Sequence, residues 1–107
     1  MKEIFELQAD VCKIFANAIR IEIINILKDG EISANELIEL TGLLKANLSQ
    51  HMAILKAKGV ILSRREGKKM YYRIANPKII QACNLMREVL VEQIEGKRRI
   101  VSIGVKQ

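Results

Sequence analysis

Asn47, Ser49 and Gln50 place two carboxamides and a hydroxyl inside a stretch where Leu48, Met52 and Leu55 recur at helical spacing. Turning Leu48 inward at about 100° per residue carries Met52 and Leu55 with it. Ala46, Gln50, Ala53 and Ala57 are left on the opposite side, flanked by Asn47, Ser49 and Ile54. Such a face is narrow, lined by small side chains and amide-bearing near its N-terminal end, which suits a DNA groove. Asn and Gln can each pair with N6 and N7 of adenine, about 1–3 kcal/mol of discrimination per good pair. Lys45, Ser49 and Lys56 suit phosphate oxygens, which hold register without reading sequence. His51 falls toward the edge of the buried side. With one His in the chain and no Cys beside it, a phosphate or packing role is expected rather than a metal ligand. Standing alone, Asn47 and Gln50 would read equally well as ordinary exposed polarity.

The charge around them favours the sharper reading. The chain has 18 Lys+Arg against 12 Asp+Glu, a net charge of +6. Residues 1–44 are net acidic, whereas residues 45–73 hold Lys45, Lys56, Lys58, Arg64, Arg65, Lys68, Lys69 and Arg73 against Glu66 alone. A merely solvated face mixes its signs; a basic block is matched by a polyanion, most commonly a nucleic acid. Arg64, Arg65, Lys68 and Lys69 cluster around Glu66-Gly67, where a basic hairpin can lie along the backbone or in the minor groove. Tyr71 and Tyr72 are adjacent in the same stretch and so face opposite ways in a strand.

The elements that must position these groups are marked by their punctuation. Lys2 to Phe15 is helical by the spacing of Leu7, Val11 and Ile14. Asn17 caps a second helix with the stripe Ile19, Ile23, Ile26 and Leu27, closed by Lys28 and Gly30. Ser33 and Glu36 have capping-box spacing and open a short third helix through Leu37, Ile38 and Leu40, stopped at Thr41-Gly42. The fourth helix runs from about Lys45 to Lys58. The period then changes: Val60–Arg65 and Met70–Ala75 read as strands joined by a turn at Glu66-Gly67-Lys68-Lys69. Asn76-Pro77 starts a fifth helix with Ile79, Cys83, Met86, Leu90 and Ile94 on one face, expected to end at Gly96. The fold class is therefore mainly α with a β-hairpin wing, a winged helix-turn-helix of about five helices. Residues 1–96 form the DNA-binding and dimerisation domain in this reading, and residues 97–107 a basic, flexible tail.

Several function classes are excluded or disfavoured. At 107 residues and 50% apolar composition the chain makes one small domain. It carries no G-x-G-x-x-G, P-loop, G-x-S-x-G or H-E-x-x-H, so an enzyme is not expected, nor a cofactor or a metal centre. Its longest uncharged stretch, Ala46–Leu55, is ten residues, too short for a membrane span. No signal peptide opens it, and Cys12 and Cys83 form no C-x-x-C; a cytoplasmic protein with reduced thiols is expected.

Four separate motifs then agree: Phe15-Ala16-Asn17-Ala18-Ile19-Arg20-Ile21, Ser49-Gln50-His51-Met52, Lys58-Gly59-Val60-Ile61, and Arg64-Arg65-Glu66-Gly67-Lys68 through Tyr71-Tyr72-Arg73-Ile74. Together they resemble the ArsR/SmtB family of small, dimeric, winged-helix transcriptional repressors, in order and over residues 5–95. The resemblance implies a homodimer through the first and last helices, with Asn47, Ser49, Gln50 and His51 facing operator DNA. The chain departs from the family pattern at Ala18, where proline is common, and at Leu44-Lys45, where Ser-Gln is frequent. The Cys-x-Cys of arsenic, cadmium and lead sensors has no counterpart in residues 31–37, and residues 77–95 lack the Asp and His ligands of zinc sensors.

The effector is left open. Cys12 and Cys83 fall on the two helices that the resemblance assigns to the dimer interface. Free cysteine most often serves as a small buried hydrophobe, and Cys83 shares the stripe of Ile79 and Met86. The alternatives are a thiol switch closed by oxidation or sulfane sulfur, as the resemblance to redox-sensing members implies, and a soft metal or metalloid on the same thiolates. For the chain as a whole the expectation is a repressor dimer on an inverted-repeat operator. A non-specific architectural nucleic-acid-binding protein and a protein-interaction module are the rivals, the latter leaving the basic block unexplained.

Overall fold

Helix caps set most of the element boundaries. The computed structural model describes the backbone of residues 2–106 and the side chains of residues 2–98. Helix α1 spans Lys2–Phe15. Helix α2, Ala18–Ile26, begins where Asn17 Oδ1 accepts the Arg20 backbone N–H at 3.1 Å. After a 3-10 turn at Leu27–Asp29, the short strand β1, Ile32–Ser33, leads into α3, Ala34–Thr41. Ser33 caps α3, its Oγ accepting the Glu36 N–H at 3.2 Å.

The turn out of α3 is tight for a stereochemical reason. Gly42 sits at φ 71°, and its N–H donates to Ile38 O at 2.8 Å. That left-handed conformation closes the helix at a residue without a Cβ. Thr41 Oγ1 donates to Leu37 O at 2.6 Å and accepts the Leu43 N–H at 3.3 Å. The chain then enters α4, Lys45–Ala57.

Strands β2, Ile61–Glu66, and β3, Lys69–Ile74, form an antiparallel hairpin with Arg64 opposite Tyr71 and Glu66 opposite Lys69. The turn is thus only Gly67-Lys68, with Gly67 at φ 62°, one residue narrower at each end than the sequence implies. Strand β1 pairs with β3, Ile32 opposite Tyr72, giving a three-stranded sheet of order β1-β3-β2. Two residues are too few to show alternation, so β1 has no signature in the sequence.

The core is a single cluster gathered from every element before α5 except β1 and β3: Ile14, Ile23, Ile24, Leu27, Leu37, Leu48, Met52, Leu55, Val60 and Ile61. Fully burying each such aliphatic side chain contributes about 1.5–3 kcal/mol before entropy is counted. The α2 stripe differs from expectation: Ile24 is buried, whereas Ile19, in the opening turn, stays 36% exposed. Leu40 of α3 is likewise on the surface.

The largest difference is in α5, which spans Pro77–Lys106 and passes straight through Gly96. Glycine weakens a helix interior by about 1 kcal/mol relative to Ala but does not by itself end it. Unlike Gly42 and Gly67, Gly96 has no positive φ. The expected tail at residues 97–107 therefore begins as helix; Gln107 and the side chains from Arg99 onward lie outside the described residues.

Candidate nucleic-acid interface

Helix α4 is seated by Leu48, Met52 and Leu55, all buried. Asn47, Ser49, Gln50 and Ala53 are exposed on its outer side, as the helical projection requires. Its N-cap is Leu44, which offers no side-chain acceptor. The first N–H groups of α4 therefore lack a protein cap, and the partial positive charge of the helix end is uncompensated there.

A groove of about 240 Å3 lies between the N-terminal ends of α3 and α4 and the hairpin. Lys45 and Ser49 line it from α4, Ser33 and Asn35 from the start of α3, and Arg65, Lys68 and Lys69 from the hairpin. Four cations and no carboxylate face this space. Tyr72 also lines it, and burial raises the pKa of its hydroxyl, which stays protonated. Three hydroxyls, an amide and four cations make a receptor for an anionic oxygen such as a backbone phosphate.

Strand alternation puts Arg64 and Arg65 on opposite faces of the hairpin, while Lys68 and Lys69, at the turn, reach the groove from its tip. Arg65 lies opposite Met70 on the groove side, while Arg64 lies opposite Tyr71 on the other. Arg64 is already occupied. Its Nε and Nη2 donate to Glu31 at 2.8 and 2.6 Å, and its Nη1 donates to Glu66 at 2.9 Å. The guanidinium also stacks on Tyr71, 4.5 Å from the ring centroid. The hydrogen bond from Arg64 holds the Glu31 carboxyl below its ordinary pKa of 4.5, so both partners stay charged at neutral pH. Arg64, which the sequence groups with the phosphate-binding cations, is thus ion-paired with two acids while its side chain stays half exposed. Lys56 is exposed in the last turn of α4, at the end away from the groove.

Two positions entered the site without a signal of their own. Asn35 reads only as a helix start, and Arg20 only as part of a motif. Yet Arg20 Nε donates to His51 Nδ1 at 3.3 Å, and its Nη1 donates to Ile14 O at 3.1 Å. His51 is half-buried at the edge of α4, where the projection places it.

Residues 17–63, which run from the α2 cap to the hairpin, match the family described as "Bacterial regulatory protein, arsR family". The chain is 34% identical over 95 residues to the HTH-type transcriptional regulator Rv0081 of Mycobacterium tuberculosis, covering 88% of this chain and 83% of that one. It belongs to the ArsR family.

Solved structures agree with that assignment. The crystal structure of Rv0081 superposes with a TM-score of 0.80 at 34% identity, covering 88% of this chain and 95% of the other. The homodimeric winged helix-turn-helix DNA-binding domain Mb0332 from Mycobacterium bovis gives 0.80 at 30% identity, covering 89% and 88%. The transcriptional repressor BigR from Xylella fastidiosa gives 0.75 at 27% identity, covering 83% and 91%. ArsR-family proteins are transcriptional regulators, not enzymes, and the winged helix-turn-helix expected from the sequence is the fold of this one.

In this ArsR-family regulator both cysteines are free thiols. Cys12 is exposed on α1, whereas Cys83 packs against the core cluster, and burial pushes its thiol pKa up. Among the described residues no three His, Cys, Asp or Glu side chains come together as a metal site. No helix among them is long and apolar enough to cross a membrane. The α5 stripe divides: Ile79 and Cys83 pack on the core, while Met86, Leu90 and Ile94 are 62%, 50% and 53% exposed. Ile4, Phe5 and Leu7 of α1 are exposed as well.

Proposed function

We propose that this ArsR-family regulator is a homodimeric repressor that reads an inverted-repeat operator with α4 and grips the flanking phosphates with its groove. The observation that carries the reading is the convergence of Lys45, Arg65, Lys68 and Lys69 on one groove beside the first turn of α4, with no acid lining it. Asn47 and Gln50 supply base contacts in this reading, and Ser49 and His51 supply phosphate contacts. Lys56 reaches the backbone beyond the far end of the helix. Arg64 is set aside as a strut of the wing, because it is ion-paired with Glu31 and Glu66.

Dimerisation is supported by the exposed apolar residues of α1 and the second half of α5, which one protomer leaves unpartnered. The homodimeric state of the Mb0332 domain agrees with it. A two-fold dimer sets its reading helices about 34 Å apart, one turn of duplex, hence the inverted repeat. Of the thiols, Cys83 is a packing residue in this reading, since it is half-buried against the core cluster and desolvation pushes its thiol pKa up, which makes it a poorer nucleophile. Cys12 is the more exposed thiol of the protomer, and a thiol-acting effector would engage it more readily than Cys83.

The test is fluorescence anisotropy with a labelled duplex from upstream of the gene, competed by random duplex, with the reduced protein and with protein treated with polysulfide. Specific affinity about 10^3-fold or more above random supports the repressor. A ratio near one overturns it in favour of an architectural protein. Loss of affinity on polysulfide treatment, reversed by reductant, would return both thiols to a sensing role.

A further inference from the structure

Arg20 stands between two acceptors that belong to different helices. Its Nη1 donates to the Ile14 carbonyl in the last turn of α1, one of the oxygens a helix end leaves without an internal partner. Its Nε donates to Nδ1 of His51 on α4. The Arg20 backbone is itself pinned, because its N–H is the one that Asn17 caps. Guanidinium has donors only, so the ring nitrogen it meets must be the unprotonated one. In the neutral imidazole the proton is then on Nε2, at the far side of the ring. His51 is half-buried and sits one residue after Gln50, next to the reading face.

We propose that Arg20 is a positioning residue for DNA recognition: it clamps the end of α1 to α4 and fixes His51 as the Nε2–H tautomer, whose remaining N–H donates to a backbone phosphate. The inference rests on the reading that α4 binds DNA. Arg20 acts through His51 and touches no DNA, so its cation adds nothing to the count of neutralised phosphates. Because Ile14 closes the helix that carries the exposed Ile4, Phe5 and Leu7, the same clamp ties the apolar α1 surface to the orientation of the reading helix.

The chain has one histidine, so a long-range proton–nitrogen NMR spectrum at pH 8 reads His51 alone. The expected wild-type spectrum shows a protonated Nε2 and a hydrogen-bonded, unprotonated Nδ1; Arg20→Gln moves the Nδ1 signal toward that of free imidazole. Affinity for the upstream duplex is measured in parallel for Arg20→Gln, His51→Ala and the double variant. Each single change should weaken binding by roughly fivefold per protomer, the ordinary net value of one hydrogen bond. The double variant should bind like His51→Ala alone, with the salt dependence of Arg20→Gln no shallower than that of His51→Ala.

Multiplicative losses in the double variant would overturn the proposal, as would an Nδ1 signal that does not respond to Arg20→Gln. Full affinity in His51→Ala would overturn the phosphate contact while leaving the DNA-reading role of α4 intact. Absence of binding by the wild-type chain would remove that role and the phosphate contact together, and the Nδ1 signal would still decide the clamp. If Arg20→Gln does not fold, the wild-type spectrum and the His51→Ala affinity decide: a proton on Nδ1 or an unchanged affinity refutes.

Discussion

Arg64→Ala and Arg65→Ala remove the same charge from adjacent positions of one strand, and the geometry gives them different consequences. Arg65 faces the groove, whereas Arg64 lies on the other side of the sheet with Glu31 and Glu66 on its guanidinium. Each phosphate neutralised adds about 0.9 to the slope of log affinity against log salt. Removing one phosphate-binding cation from each protomer of a homodimer lowers that slope by about 1.8. Over a fourfold rise in salt the Arg65→Ala variant should therefore lose about 12-fold less affinity than the wild type, having started weaker. Arg64→Ala should leave the slope unchanged, since its cation releases no phosphate counterion. The assay is anisotropy titration of the upstream duplex at five salt concentrations from about 50 to about 200 mM. Net charge falls equally in both variants, so a general loss of electrostatic attraction flattens both slopes alike. An unchanged slope in Arg65→Ala with a flattened one in Arg64→Ala would place the DNA on the outer face of the hairpin and refute the groove.

Gln50→Ala should cost about 1–3 kcal/mol of preference for the operator over a duplex altered at one adenine position while weakening random-duplex binding little, measured by competition; equal weakening on both duplexes would remove Gln50 from the reading face. Leu90→Glu, on the exposed half of the α5 stripe, should leave the fold intact by circular dichroism and shift sedimentation from dimer to monomer; an unchanged dimer would place the interface elsewhere. The Glu31–Arg64 pair carries a signed pH dependence. Because the Glu31 pKa is lowered in the folded chain by the hydrogen bond from Arg64, the pair's contribution is present above the ordinary 4.5 and is lost as the pH falls through the lowered value. Urea midpoints of wild type and Glu31→Gln should thus differ at pH 7, and the gap should shrink as the pH is taken progressively below 4.5; a gap that stays constant over the whole titration would show that ionisation of Glu31 plays no part.

Local stereochemistry made much of this chain legible before folding is considered. Asn17 and Ser33 cap the next helix through a backbone N–H three residues on, Gly42 closes α3 where a left-handed residue is needed, and Ile61–Ile74 trades helical spacing for strand residues. The buried side of α4 followed from the spacing of Leu48, Met52 and Leu55. Gly96 shows where such reasoning overreaches. Glycine punctuates a helix only if the backbone takes up a positive φ there, and at Gly96 it does not.

Charge and periodicity in the sequence determined that a basic hairpin follows a small-faced helix, which is enough for a winged helix-turn-helix and for a polyanion as partner. They could not decide which cations are free. Arg64 meets Glu31 and Arg20 meets His51 across 33 and 31 residues of chain, distances over which residue type carries no information about contact. Only the tertiary fold, which pairs β1 with β3 and brings Arg20 of α2 to His51 of α4, set those partners together, giving one arginine of the basic block two acidic partners and leaving its neighbour lining the groove.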